Sequence, residues 1–514
     1  MNDPYDAVIV GGGHNGLVAA CYLAIAGRKV LILERGKALG GASVSQQVFG
    51  DFDARLSRYS YLVSLFPRRI MRELEIDLEL LPREVSSYTP YGDCQGLLIS
   101  NRHAAANERA IRALGHGEWE GYCRLMEKQT AFAGLVWDSL LKPLQSRADW
   151  QARFKAAGRD DLWQEFVETP IGQLIETHLH SDVLRGVVLT DTKIGANTSA
   201  HDPDLLQNRT FIYHVIGNKT GQWLVPRGGM GALAGALIAR ARKLGVEWRV
   251  DAEVTATGEH DGCQVVRFRH EAGIREVKAR HLLWNAAPPW VRRSAHGQAH
   301  EGTAFKINML LTKLPRLRDP QATPEQAFSG TFHIDQGYAQ LEQNFSVANQ
   351  GRLPATIGGE IYCHTLTDPS ILSAELHAAG YQTLTYFGLD LPYSLFASDP
   401  EGAKKEVVTR FLRGLNRYLA EPLEHCLAVD RQGRPCLEAK SAVDLERELG
   451  MPKGNIFHRP LSWFFAEREH EVGAYGVETD RANEWICGSS AKRGGAVSGI
   501  PGRNAAMAVL DSGR

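Results

Sequence analysis

No two of the eight cysteines form a C-x-x-C pair; they are scattered at Cys21, Cys94, Cys123, Cys263, Cys363, Cys426, Cys436 and Cys487. That scatter argues against a zinc ribbon, a redox-active dithiol and a disulfide framework, and the thiols are expected to be small buried apolar residues. Metal-ligand spacing is equally scarce. The nearest approach is His178-Leu179-His180, and histidines at i and i+2 do not share a helix face, so no metal is expected. No apolar run approaches the ~18 residues of a membrane span; residues 17–26 are apolar but too few. The start, Met1-Asn2-Asp3-Pro4, lacks the basic and apolar regions of a signal peptide, and a strand pattern begins at Tyr5, which points to a cytoplasmic protein. Neither sign of charge is in excess. A formal net charge of -1 gives no overall pull toward nucleic acid or an anionic membrane.

What remains is an ordinary globular composition, 44% hydrophobic and 23% charged, in 514 residues. That length is too great for one core and predicts two or three domains. The chain opens with a buried-strand pattern, YDAVIV, followed at once by Gly11-Gly12-Gly13-His14-Asn15-Gly16. An Ala/Leu/Ile helix pattern over 17–26 ends at Gly27, and a second strand pattern, KVLIL, ends at Glu34. Strand, G-x-G-x-x-G, helix, strand and acid form a dinucleotide-binding unit. Gly11 permits the tight turn, Gly13 lets the backbone approach a pyrophosphate, and Gly16 lets the helix pack on the strand. The helix N-terminus offers N–H groups to the phosphates, with His14 and Asn15 part of the loop. Glu34 is placed to accept hydrogen bonds from a ribose. The Arg35-to-Ser43 segment then carries a second glycine pair, Gly40-Gly41, with Ala42 and Ser43. A second close pass of backbone suits the longer FAD rather than NAD.

Two further glycine-rich segments stand downstream. Gly229-Met230-Gly231-x-x-Ala234 mimics a second fingerprint and opens a helix pattern over 232–243. The apolar run before it is short and broken by Pro226, which is poor for a central strand. Gly228, Gly229 and Met230 are expected to cap the flavin, and residues 252–255 to close over the adenine; an NAD(P) site is the alternative. Near the C-terminus, the strand pattern Trp485-Ile486-Cys487-Gly488 leads to Gly494-Gly495-Ala496-Val497-Ser498-Gly499, which feeds a small-residue helix over 505–510.

With these motifs, the chain resembles the phytoene desaturase-like FAD oxidoreductases. It is most similar to the branch of desaturase-type carotenoid ketolases and pyridine nucleotide-disulfide oxidoreductase domain-containing proteins. The resemblance rests on VIVGGGHNGLVAACYLA, GGAS at 40–43, PRGGMGALAGAL, VDLERELGMPKGNIFH and GGAVSGIPGRNAA, in family order across almost the whole chain. It implies an α/β, amine oxidase-like fold: a discontinuous Rossmann-type FAD domain (1–75, 222–300, 475–514) with an inserted α+β substrate domain (76–221, 301–474). It also implies Gly11, Gly13, Gly16, Glu34, Arg35, Gly41, Ser43, Val254, Gly488 and Val497 as FAD neighbours, with Gly495 in the same C-terminal loop. Relatives carry His-Pro before the C-terminal double glycine, where this chain has Lys492-Arg493. If these cations point inward, they would stabilise reduced flavin or bind an anionic substrate group.

The remaining segments show no second cofactor motif. Helical periodicity over 138–154 and strand patterns over 304–311 and 355–363 predict an α+β unit. Tyr59, Tyr61, Phe211, Tyr213, Trp223, Tyr362, Phe464 and Phe465 suit the walls of a pocket for an apolar or amphipathic substrate. Residues 62–80, amphipathic and carrying Arg68, Arg69 and Arg72, could touch a membrane surface. The candidate catalytic residues are His458, Lys492, Arg493 and Tyr59. The expected activity is removal of a hydride from a C–H bond by non-covalently bound FAD, with oxygen or a quinone as acceptor. The alternatives are an NAD(P)H-dependent reductase or monooxygenase-like enzyme, and a catalytically quiet FAD-binding interaction protein.

Overall fold

The computed structural model describes residues 4–271 and 273–513. Its organising element is a parallel sheet in which Tyr5–Val10 lies between Val30–Leu33 and the end of Gly273–Trp284. Glu247–Arg249 extends it beyond Val30–Leu33, and Glu484–Ile486 pairs with the far edge of Gly273–Trp284. Val8, Ile9, Leu31 and Ile32 have no exposed surface, as a strand covered on both faces requires. The first half of Gly273–Trp284 leaves this layer to form an antiparallel meander with Glu253–His260 and Cys263–His270.

Helix His14–Ile25 packs against Met230–Lys243 and Ile500–Ser512. The last of these approaches so closely that a Cβ on Gly502 would lie 2.1 Å from the Asn15 carbonyl oxygen. This Rossmann-type layer is therefore assembled from both ends and the middle of the chain.

A second sheet runs in the order Leu437–Lys440, Phe305–Leu311, Gln382–Gly388, Gly359–Tyr362, Thr331–Ile334, Val85–Tyr91 and Gln95–Ser100. All its pairs are antiparallel except that of Thr331–Ile334 with Val85–Tyr91. One face is conventional core: Ile307, Met309, Phe332, Ile334, Ile361 and Tyr386 pack with Val407 and Phe411 of helix Pro400–Asn416. The other is polar and buried as well, carrying Lys306, Asn308, Thr331, His333, Glu360 and Thr383. Helices between Glu118 and Val215, including Asp182–Lys193 and Leu206–Val215, contribute to the covering of that face, with an aromatic core around Phe132, Phe154 and Phe166.

The mixed α/β class is as expected, but two local readings need correction. The helical periodicity over 138–154 divides into a 3-10 turn, Trp137–Leu141, and a helix, Arg147–Ala156, separated by a segment containing Pro143. The Ser146 hydroxyl and Asp149 form a capping box that starts the second helix afresh. In 62–80 there is only a six-residue helix, Arg68–Glu73, entered from Pro67 and closed by Glu75 at φ 51°. The continuous amphipathic face read from that stretch does not form. No helix among the described residues is long and apolar enough to cross a membrane.

Candidate cofactor and substrate site

The G-x-G-x-x-G loop sits where the first strand ends, and its glycines are constrained by contact. Gly11 has φ 99°, and a Cβ there would lie 3.0 Å from the Ala286 nitrogen. On Gly16 a Cβ would be 2.7 Å from the Gly11 carbonyl oxygen, which is the close helix–strand packing expected of it. No side-chain cap closes the N-terminus of His14–Ile25. The second glycine pair lies directly over this loop. Gly40 N–H donates to the Gly12 carbonyl at 2.9 Å. Gly41 has φ 58°, and a Cβ on it would be 3.0 Å from Gly13 Cα. Ser43 is fully buried, its Oγ 3.3 Å from His14 Nδ1.

Glu34 accepts hydrogen bonds at 2.7 Å from the N–H groups of both Gly12 and Gly36. Its carboxylate is thereby fixed at the loop with lone pairs to spare. Ala252 N–H donates to the Glu34 carbonyl at 2.8 Å, drawing the strand that carries Val254 alongside. Arg35 turns away and donates to the Glu448 carbonyl. Burial lowers the His14 pKa to about 4, so the ring is neutral, and its Nε2 and the Asn15 Oδ1 are buried without partners. A glycine cradle that a side chain would fill, a helix N-terminus whose N-cap residue Gly13 supplies no capping side chain, and orphaned polar atoms fit a dinucleotide-type cofactor.

Asn285 was not singled out from the sequence, yet it ties the cradle together. Its side chain accepts from Gly16 N–H at 3.0 Å and donates to the Gly11 carbonyl at 3.1 Å. A Cβ on Gly488 would lie 2.0 Å from its carbonyl oxygen, so the C-terminal loop docks on the same residue. The available signal was its place after the apolar run Leu282-Leu283-Trp284, at the carboxyl end of a parallel strand, where α/β sheets hold ligands. In the C-terminal loop, Gly495 has φ 96° and Val497 is buried, and Tyr213 OH donates to the carbonyls of Arg493 and Gly495.

The second glycine segment does not form a second nucleotide site. The strand before it, Val225–Pro226, has two residues and pairs antiparallel with Leu80–Leu81. The N–H groups of Gly228, Met230 and Gly231 are taken by Asp368, Ser57 and Ser45, and that of Gly229 by the Pro226 carbonyl. A phosphate would have to displace these internal partners, and Gly228, Gly229 and Met230 offer no free donor to a cofactor.

The proposed catalytic cations are also committed inside the fold. Arg493 is 3% exposed, and its guanidinium donates to the carbonyls of Ser139, Lys142 and Tyr475. Lys492 pairs with Glu467 and Glu471 at 2.6 and 2.8 Å. Their charged ends are thus engaged within the protein, with only the buried Arg493 Nε–H left without a partner. Tyr59 OH donates to Glu448, which Lys440 also holds. His458 bonds Ser490 at 2.9 Å, and burial lowers its pKa to about 3, so it is a poor base at neutral pH.

A cavity of ≈ 500 Å³ opens beside the polar face of the second sheet. Its walls include Tyr61, His214, Trp223, Tyr362, Asp191 and Glu360. Tyr61 follows Ser60, whose hydroxyl donates to the Ala42 carbonyl, and His214 follows Tyr213, which holds the Gly495 loop. Two wall residues thus adjoin, along the chain, residues that are hydrogen-bonded to the two glycine loops. Glu360 accepts from the hydroxyls of Tyr61 and Tyr362 at 3.3 and 2.6 Å. Lys306, also unremarked in the sequence, donates to the carbonyls of Ser57 and Ser60, and burial lowers its pKa to about 7.

The model of an NAD(P)-binding Rossmann-like domain matches residues 9–73. Rv0897c of Mycobacterium tuberculosis is 43% identical over 98% of this chain and 97% of its own length. Pyridine nucleotide-disulfide oxidoreductase domain-containing protein 2 of Rattus norvegicus is 28% identical, over 99% and 94%. Among solved structures, cyclohexylamine oxidase from Brevibacterium oxydans matches with TM-score 0.56 at 13% identity, covering 99% of this chain and 98% of that one, a likeness of fold. The chain belongs to the family of the mycobacterial Rv0897c protein.

Proposed function

We propose that this protein is an FAD-dependent dehydrogenase or oxidase that acts on an amphipathic small molecule. The observation that carries the reading is the position of the ≈ 500 Å³ cavity, whose wall residues Tyr61 and His214 adjoin residues hydrogen-bonded to the two cofactor loops. Bound non-covalently, the flavin would supply a hydride acceptor for a substrate C–H bond. The protein's part is to position and enclose. Tyr61, Trp223 and Tyr362 provide aromatic walls, while the tyrosine hydroxyls fix the Glu360 carboxylate. Lys306, on the same sheet face and held at Nζ by the Ser57 and Ser60 carbonyls, has its pKa lowered to about 7 by burial. Oxygen or a quinone would take the electrons onward. The occupied donors of the second glycine segment remove the support for direct reduction by NAD(P)H.

The test is anaerobic rapid mixing of the purified yellow holoprotein with a panel of amphipathic substrates and, separately, with NADPH. Bleaching by a substrate but not by NADPH is expected. Rapid bleaching by NADPH alone would overturn the dehydrogenase reading.

A further inference from the structure

The cavity holds one carboxyl group that the fold leaves without a partner. Helix Asp182–Lys193 and the residue after it line one wall with Val187, Asp191 and Ile194. The opposite wall is the polar sheet face, with Glu360 and His333. Glu360 has the two tyrosine hydroxyls and lies in the field of the half-buried Arg83, whose guanidinium donates to the Trp223 carbonyl and the Thr331 hydroxyl. Asp191 has no hydrogen-bond or ion-pair partner among the described residues; its one electrostatic neighbour is Glu360, of the same sign. The cations at the rim are already paired, Arg102 with Glu84 and Lys219 with Asp138. His333 and His214 are held neutral by burial, with pKa values near 3 and 4. Arg83 therefore balances Glu360, and an ionised Asp191 has no counter-charge in a wall that mixes polar groups with aromatic and aliphatic side chains.

We propose that the cavity selects an organic cation, an amine nitrogen on an apolar body, and that Asp191 is the residue that recognises the nitrogen. A carboxylate backed by aromatic rings suits an ammonium group, which gains from both the charge and the ring faces. Val187 and Ile194 supply the surface for the apolar part. The proposal deepens the reading of the cavity as the substrate site and rests on it.

The unpartnered carboxyl has a second consequence. Burial and Glu360 push the Asp191 carboxyl up to about 8, so at pH 7 it is mostly protonated. Binding a cation favours the carboxylate and must release a proton. Affinity then rises about tenfold per pH unit up to pH ~8 and levels off above it, following the ionised fraction.

The experiment is calorimetry of the holoprotein, under nitrogen, with hexylamine, hexan-1-ol and hexanoate as probes, in two buffers of different ionisation enthalpy. Hexylamine is expected to bind at least tenfold more tightly than the alcohol, with release of close to one proton at pH 7. Hexanoate is expected to be the weakest. Asp191→Asn should abolish the preference for amine over alcohol and the proton release while keeping its flavin, and Asp191→Glu should restore part of both. Equal amine affinity in Asp191→Asn, tighter binding of hexanoate, or no binding of hexylamine at millimolar concentration would overturn the proposal. Binding of amine without flavin reduction by any amine would leave recognition standing and remove the dehydrogenase reading.

Discussion

Replacing Glu34 with glutamine changes one atom and should still loosen the whole cofactor cradle. The carboxylate accepts from two backbone N–H groups, Gly12 and Gly36, each at 2.7 Å. Glutamine has one acceptor oxygen, and its amide NH2 would face the other N–H, donor against donor. A charge-assisted bond of this kind contributes about 1.5–3 kcal/mol, and Gly12 is buried, so no water replaces it. The apoprotein should lose about that much stability. The cofactor should lose a ribose acceptor at the same time, a ten- to hundred-fold drop in FAD affinity at ~1.4 kcal/mol per decade. Titrating apoprotein with FAD, followed by quenching of flavin fluorescence, reads the second effect; urea unfolding of the same apoprotein reads the first. Wild-type affinity together with a wild-type urea midpoint would refute the assignment of Glu34.

Three other outcomes follow from the same structure. Arg493→Ala strands three backbone carbonyls around a buried void and should cost about 3–5 kcal/mol in urea unfolding; a loss under 1 kcal/mol would contradict the anchoring role. His14, His214, His333 and His458 are buried neutral, with pKa values lowered to about 4, 4, 3 and 3. The unfolded chain binds protons at these sites from pH ~6.5 downward, so stability should be full above that pH. It should then fall by about 1.4 kcal/mol per unit for each histidine until the folded pKa is reached. His333→Gln should flatten the urea-midpoint profile between pH 6 and 4, and an unchanged slope would argue against a neutral ring. Acid precipitation should release the yellow colour into the supernatant; colour held in the pellet would falsify non-covalent binding.

The cradle was legible because its logic is local. Strand, glycine loop, helix and acid lie within 34 consecutive residues, although Gly11 and Gly13 are also crowded by Ala286 and Asn285 far along the chain. The C-terminal glycine loop carried the same kind of signal. The fates of Lys492 and Arg493 were not legible. Two cations beside a flavin-type loop suggest chemistry, but Arg493 reaches carbonyls at 139 and 142, which no local pattern announces. The aromatic walls Tyr61, Trp223 and Tyr362 stood out as pocket candidates, but the polar side of the cavity was hidden for another reason. In Thr331-Phe332-His333-Ile334 and Gly359-Glu360-Ile361-Tyr362 the alternation reads as a sheet with one face in water. Both faces are buried, and the polar one is lined up across strands far apart in sequence.

The threading of the parallel sheet also sets a timetable for biosynthesis. Val30–Leu33 leaves the ribosome early, but Glu484–Ile486 and the helix Ile500–Ser512 that packs on His14–Ile25 come about 450 residues later. At typical elongation rates the first glycine loop waits roughly 20–90 s for its closing strand and helix. Through that interval the buried side of His14–Ile25 has no C-terminal partner. The nascent chain must therefore be shielded by its own middle segments or by a chaperone, and loading of the cofactor becomes a post-translational event. A premature stop that removes only the final helix would spare every residue of the first fingerprint and still leave the nucleotide fold open.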